Sequence, residues 1–136
     1  MTLHEQIGQL LLVGFRGCSP TECGLVKRAI REQHIGGVIL FDQEMAEPSP
    51  RRRNIESPQQ VRALITYLQA QAARPLLIAV DQEGGRVNRL KPEYGFPASS
   101  SHEELGQLNQ PTATYRHAER IAQNLAAVGF NLNLAP

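Results

Sequence analysis

A chain of 136 residues, 41% hydrophobic and 20% charged, suits one soluble globular domain with a single core. A formal net charge of +1 gives no general attraction for nucleic acid or an anionic membrane, so neither is expected as a partner. No run approaches the roughly 18 apolar residues of a membrane span, and the start, MTLHEQIGQLLLVGF, lacks the basic n-region and cleavage pattern of a secretory signal. Cys18 and Cys23 read as reduced thiols, without the second ligand pair that zinc would need, and a cytoplasmic location is expected.

In chain order, Thr2-Leu3-His4-Glu5 has the spacing of a capping box, with Leu3, Ile7 and Leu10 on one side of the short helix it opens. The continuous apolar run LLLVGF (10–15) suits a strand covered on both faces. Ser19-Pro20-Thr21-Glu22 predicts a second helix ending near Gly36-Gly37, and GVILF (37–41) the second strand. Residues 42–56, polar and rich in Pro, Arg and Glu, predict a long loop in which Arg51-Arg52-Arg53 is a solvated charge run. Ser57-Pro58-Gln59-Gln60 caps a third helix with the stripe Val61, Leu64, Ile65, Leu68 and Ala72. Pro75 stops it, and LLIAVD (76–81) is the third strand. A long connection over 82–111 holds a short helix from Ser101-His102-Glu103-Glu104. A last helix from near Thr112 places Ala118, Ile121, Ala122, Leu125 and Gly129 on one side. FNLNLAP (130–136) then opens a fourth strand whose asparagines are expected to face a polar site.

Strands alternate with helices and no hairpin signal appears, which demands parallel strands in an α/β fold. A doubly wound sheet and the N-terminal half of a (β/α)8 TIM barrel both fit. A complete barrel needs about 250 residues. Half of one leaves two bare strand edges and an apolar interior in water. The chain is therefore expected to be a fragment, to self-associate through exposed barrel edges, or to be a compact open sheet.

The third strand ends in AVDQEGGRVNRL (79–90), which sets Asp81, Glu83, Arg86 and Arg89 around Gly84-Gly85. In parallel α/β proteins function gathers at the carboxyl ends of strands, where Asp81 falls. A carboxylate only accepts hydrogen bonds, so it can take two from the neighbouring hydroxyls of a sugar. The glycines let the backbone turn sharply, and the arginines can bond ligand oxygens or neutralise the acids. The plain alternative is an internal Asp/Glu–Arg network that merely fixes the loop. Two carboxylates beside two arginines make a poor Mg²⁺ site, and no phosphate-binding glycine motif is present, so no metal or cofactor is expected.

The string Asp81-Gln82-Glu83-Gly84-Gly85-Arg86-Val87-Asn88-Arg89 resembles the D-Q-E-G-G-R-V-x-R signature of glycoside hydrolase family 3, in its bacterial β-N-acetylhexosaminidase branch. IGQLLLVGF (7–15), IGGVILF (35–41) and NLNLAP (131–136) resemble its first, second and fourth strands in order. The resemblance implies strands one to four of a (β/α)8 barrel, so that residues 1–136 form a partial N-terminal catalytic domain. It implies Asp81 and Arg89 at the −1 subsite, with Glu83, Gly84, Gly85 and Arg86 in support. The implied reaction is retaining removal of terminal β-linked N-acetylglucosamine, from cell-wall glycans among others, with no cofactor. The family's L-F-x-R-N run departs here: Phe41 and Arg53-Asn54 are separated by residues 42–52, at the mouth of strand two. The family's K-H-F-P-G-H-G segment, its His–Asp acid/base pair and its aspartate nucleophile have no match, so no catalytic residue is assigned and no turnover is expected. His4, His34, His102 and His117 are read as surface or packing residues. The rival reading is a non-catalytic sugar-binding or assembly module. A glucose or xylose enzyme of the same family is disfavoured by the D-Q-E-G-G-R form.

Overall fold

The computed structural model of the chain describes residues 1–44 and 51–135; residues 45–50 of the predicted loop, and Pro136, lie outside the described residues. The elements are α1 (Leu3–Gln9), β1 (Leu12–Gly14), α2 (Gly24–Glu32), β2 (Gly37–Ile39), β3 (Gln43–Glu44), β4 (Arg51–Arg52), α3 (Pro58–Gln69), β5 (Leu77–Val80), a 3₁₀ turn (Pro92–Tyr94), α4 (His102–Leu108), α5 (Pro111–Val128) and β6 (Leu132–Asn133). No helix among the described residues is long and apolar enough to cross a membrane.

Three helix starts follow from their caps. Thr2 and Ser101 each form a reciprocal capping box, with Glu5 and Glu104, and Ser57 accepts from the Gln60 amide ahead of Pro58. The fourth expected cap behaves differently. The Glu22 carboxylate accepts from the amides of Cys18 and Ser19 and from the Ser19 hydroxyl, while the Glu22 amide closes a turn on the Ser19 carbonyl. With that hydroxyl engaged, α2 begins only at Gly24, behind Cys23 and without a side-chain cap.

The main sheet runs β1-β2-β5-β6, every neighbour parallel. Strand order equals chain order, as in a closing barrel; a doubly wound sheet reverses its order at a switch point. The register aligns Val13, Val38 and Ile78 on the face under the helices, and Val38, Ile78 and Val80 are fully buried there. The other face carries Leu12, Leu77 and Leu134, exposed by 38, 49 and 45%. The strands were expected to be covered on both faces. Among the described residues the helical face is covered, whereas on the opposite face Ala79 is buried but the leucines stay open to solvent. Leu3, Ile7 and Leu10 of α1 are exposed as well.

A small antiparallel ladder pairs β3 with β4 inside the predicted loop, a hairpin that residues 42–56 did not signal. The α3 stripe holds for Val61, Leu64, Ile65 and Leu68, all buried, but the helix ends at Gln69, so Ala72 lies beyond it, half-buried. That of α5 is rotated: His117, Leu125 and Val128 are buried, whereas Ala118 and Ala122 are exposed. The side-chain amides of Asn131 and Asn133 are engaged by backbone, although Asn133 also lines a cavity beside Gln82 and His117. Asn131 accepts from the Ile78 amide and donates to the Leu76 carbonyl, and Asn133 bonds both backbone groups of Gln82. Each side-chain amide imitates a peptide group, so it extends the β5–β6 ladder that a two-residue strand leaves short.

The end of α1 lies against the entrance to β2, where a Cβ on Gly36 would sit 2.1 Å from the Gln9 carbonyl oxygen. Backbone cannot yield there as a flexible side chain can. Gly36→Ala is therefore expected to lower unfolding free energy by at least about 1–3 kcal/mol, the usual cost of overpacking. Gly24→Ala, with nothing within 4 Å of its Cβ, should be neutral or slightly stabilising in the same urea titration.

Candidate functional site

Asp81 directly follows β5, at the carboxyl edge of the sheet. Its side chain is 26% exposed, and its Oδ2 lies 3.6 Å from Nη2 of Arg89. That is an ion pair without a hydrogen bond, and no donor among the described residues bonds the carboxylate. Guanidinium groups do not seal it.

The loop beyond is built on Gln82. Its Oε1 accepts from the amides of Arg89 (3.0 Å) and Leu90 (2.9 Å), and its Nε2 donates to Asn88 Oδ1 (2.7 Å) and Ser99 Oγ (3.3 Å). All four hydrogen-bonding positions of the amide are filled inside the protein. Gly84 and Gly85 take φ values of +85° and +59°, and the amides of Glu83 and Gly84 both donate to the Val87 carbonyl. A Cβ on Gly84 would meet the Ser100 carbonyl oxygen at 2.1 Å, so the turn needs glycine for space as well as for conformation. Glu83 is half-buried and Arg86 exposed; neither makes an ion pair or side-chain hydrogen bond among the described residues.

Arg89 is held from two sides. Its Nη1 lies 3.3 Å from Asp42 Oδ1, and its guanidinium stands 5.6 Å from the Phe41 ring centre. The Asp42 side chain is only 2% exposed, and its second oxygen receives Lys91 Nζ at 2.6 Å. That hydrogen bond is the main reason the Lys91 ammonium is held above its ordinary pKa range. Burial, foremost, likewise raises the nearby Tyr94 phenol.

The 42–52 insertion closes on itself. The Arg53 amide donates to the Asp42 carbonyl, and Phe41 and Asn54 exchange two bonds, Asn54 N to Phe41 O (2.9 Å) and Phe41 N to Asn54 Oδ1 (3.0 Å). Asn54 also donates to the carbonyls of Phe15 and Gly17, and Arg53 lies 4.7 Å from the Phe41 ring centre. Phe41 and Arg53-Asn54, distant in sequence, are thus neighbours in space. Asp42, Gln82 and Lys91 were not singled out by the sequence reading. One signal was available: GVILFD and LLIAVD both end an apolar strand run on aspartate.

Other titratable groups stand apart from this edge. Burial, foremost, pushes the Cys18 thiol up to about 12 and the Cys23 thiol up to about 11, so both stay protonated and poorly nucleophilic near neutrality. His4 and His102 are exposed and His34 half-buried. His117 is buried beside a cavity of about 190 Å³ lined in part by Gln82, Phe96 and Ser99, and its Nε2 has no partner. Among the described residues no cluster of three or more His, Cys, Asp or Glu could hold a metal.

Two tests follow from this geometry. Gln82→Leu strands the Arg89 and Leu90 amides; it should cost about 1–3 kcal/mol for each unsatisfied group in denaturant unfolding, and hydrogen exchange at both amides should accelerate. Burial, then the charges of Arg120 and His102, holds the His117 imidazole below its ordinary 6.5. Protonation therefore favours the unfolded chain, and this contribution to stability is present above about pH 6.5 and lost as pH falls below it. The thermal midpoint should drop between about pH 7 and pH 5, and His117→Phe should flatten that part of the profile.

The family model described as the glycosyl hydrolase family 3 N terminal domain matches residues 2–136. A β-hexosaminidase of Xanthomonas euvesicatoria pv. vesicatoria is 34% identical over 93% of this chain and 36% of its own length; one of Bordetella pertussis is 38% identical over 81% and 30%. The chain thus spans about a third of the curated relatives it matches. Among solved structures, a family 3 β-N-acetylglucosaminidase of Paenibacillus superposes with a TM-score of 0.87 at 36% identity, over 100% of this chain and 24% of that one. NagZ of Neisseria gonorrhoeae, also solved with N-trifluoroacetyl-D-glucosamine, superposes in its native form at 0.73 with 28% identity, over 92% and 35%. The four parallel strands are the first four of that barrel, and the chain belongs to glycoside hydrolase family 3, within its N-terminal domain.

Proposed function

We propose that Asp81 and Arg89 form the grip on the terminal sugar of a retaining β-N-acetylglucosaminidase, with Glu83, Gly84, Gly85 and Arg86 shaping the turn that carries them. The observation behind this reading is the Asp81 carboxylate itself: accessible at the carboxyl end of β5, charge-balanced by Arg89, and free of any hydrogen-bond donor among the described residues. A carboxylate in that state has acceptor positions for two adjacent hydroxyls, and the Nη2 edge of Arg89 offers donors beside it. The family membership and the glucosamine derivative bound to the Neisseria relative favour an N-acetylglucosamine ring.

Retaining hydrolysis needs a nucleophile and a proton donor that flank the scissile bond. Asp81 and Glu83 leave one short turn together, and Asp42 is buried between two cations. Asp81 therefore grips the sugar, and none of the three carboxylates supplies a bond-breaking group. We place the protein in the cytoplasm, with oligosaccharides of cell-wall turnover as the substrate class and no cofactor. Titration of the chain with N-acetylglucosamine, followed by amide NMR, should move the signals of Gly84 and Gly85 with a Kd on the order of 1 mM or weaker. Asp81→Ala should abolish those shifts at an unchanged thermal midpoint, and an aryl N-acetylglucosaminide should not turn over. Shifts that survive Asp81→Ala refute the grip; turnover that Asp81→Ala removes refutes the division between grip and chemistry.

Exposed Leu12, Leu77 and Leu134, on a sheet whose edges are β1 and β6, favour a second reading in which the chain also self-associates across its open face. Sedimentation velocity should then show a concentration-dependent dimer, and a strict monomer excludes it.

A further inference from the structure

Building on the sugar-grip reading of Asp81 and Arg89, we infer that Asp42 is a positioning residue of that grip, the counter-charge that keeps Arg89 from closing onto Asp81. An arginine beside a lone accessible carboxylate settles into a two-point bridge with N···O distances of roughly 2.7–2.9 Å. Here the Arg89–Asp81 contact is a single approach of 3.6 Å, while Asp42 stands closer, 3.3 Å from the other end of the guanidinium. Asp42 is also the more deeply buried of the two, 2% exposed against 26%, and attraction strengthens as water is excluded. Nε of Arg89 is buried without a partner, so the Nη ends alone carry its polar contacts.

Lys91 completes the device. Its Nζ occupies the second oxygen of Asp42 at 2.6 Å, which limits Asp42 to a one-point hold on Arg89. Arg89 is therefore shared between a buried carboxylate and an accessible one, near the face of Phe41. Asp81 keeps its oxygens clear for hydroxyls, and the Nη2 edge stays within reach of the same ring. The backbone of Asp42 is pinned by the Arg53 amide at the foot of the hairpin. The foot of the 42–52 insertion, through Asp42, thus acts on the sugar site.

The test reads the Arg89 guanidinium N–H signals by NMR, together with N-acetylglucosamine affinity, in the full 136-residue chain. Asp42→Asn should shift the guanidinium signals and weaken sugar binding about tenfold. Asp81→Asn should leave those signals near their wild-type positions, because Asp42 still holds the group. Guanidinium signals that follow Asp81→Asn and ignore Asp42→Asn overturn the inference, as does wild-type affinity in a folded Asp42→Asn chain. If Asp42→Asn does not fold, Lys91→Met decides: it hands both Asp42 oxygens to Arg89 and should shift the same signals, and unmoved signals refute the hold. A wild-type chain that binds no sugar sinks the grip reading, a distinct result, since the guanidinium signals report the Asp42 hold without any ligand.

Discussion

The carboxyl edge of the sheet depends on one buried amide. Gln82 sits between the last strand residues and the turn, with its oxygen on two backbone amides and its nitrogen on Asn88 and Ser99. Because no position on that amide is left for water, the loop that returns as Arg89 and Leu90 has its path fixed relative to Asp81. Asn133 grips the backbone of the same residue from β6. Through its side chain and its backbone, this one residue therefore ties the third strand, the fourth strand and the polar turn into a single unit. The two glycines supply the conformation, and Gln82 supplies the force that keeps it.

Charge at this edge is arranged in alternation. Lys91, Asp42, Arg89 and Asp81 form a chain in which each member faces the opposite sign, with Asp42 buried inside it and both ends, Lys91 and Asp81, partly exposed. Burying an unpaired charge would cost several kcal/mol, so the inner members need one another. The outermost carboxylate escapes that demand and keeps hydrogen-bonding capacity to spare. Asp81 and Asp42 thus hold different duties although both end an apolar strand run.

Much of the fold was legible in the residues. Cap residues marked three helix starts because their hydrogen bonds are local, and the α3 stripe marked its buried face because helical spacing carries that directly. What sequence spacing could not carry was partnership across distance. The Ser19–Glu22 box failed as a helix start because its carboxylate captured the serine hydroxyl. The backbone bonds by which Asn131 and Asn133 extend the β5–β6 ladder could not be read from the residues, since an amide reads the same in a sequence whether it meets a ligand or a backbone. In the site, the signature placed Asp81 and Arg89 at one edge, but Asp42 and Lys91 joined them only through folding. The insertion looked like a break in the family pattern, and its foot restores the contact of Phe41 with Asn54.

That restored contact separates the length of the excursion from the architecture beneath it. The entropy of closing a loop grows slowly, about 0.6 kcal/mol for each doubling of length. A segment whose two feet are already locked together can be lengthened, shortened or rewritten with little disturbance to the strands below. Length at this rim can then change without a change in the floor of strands beneath it.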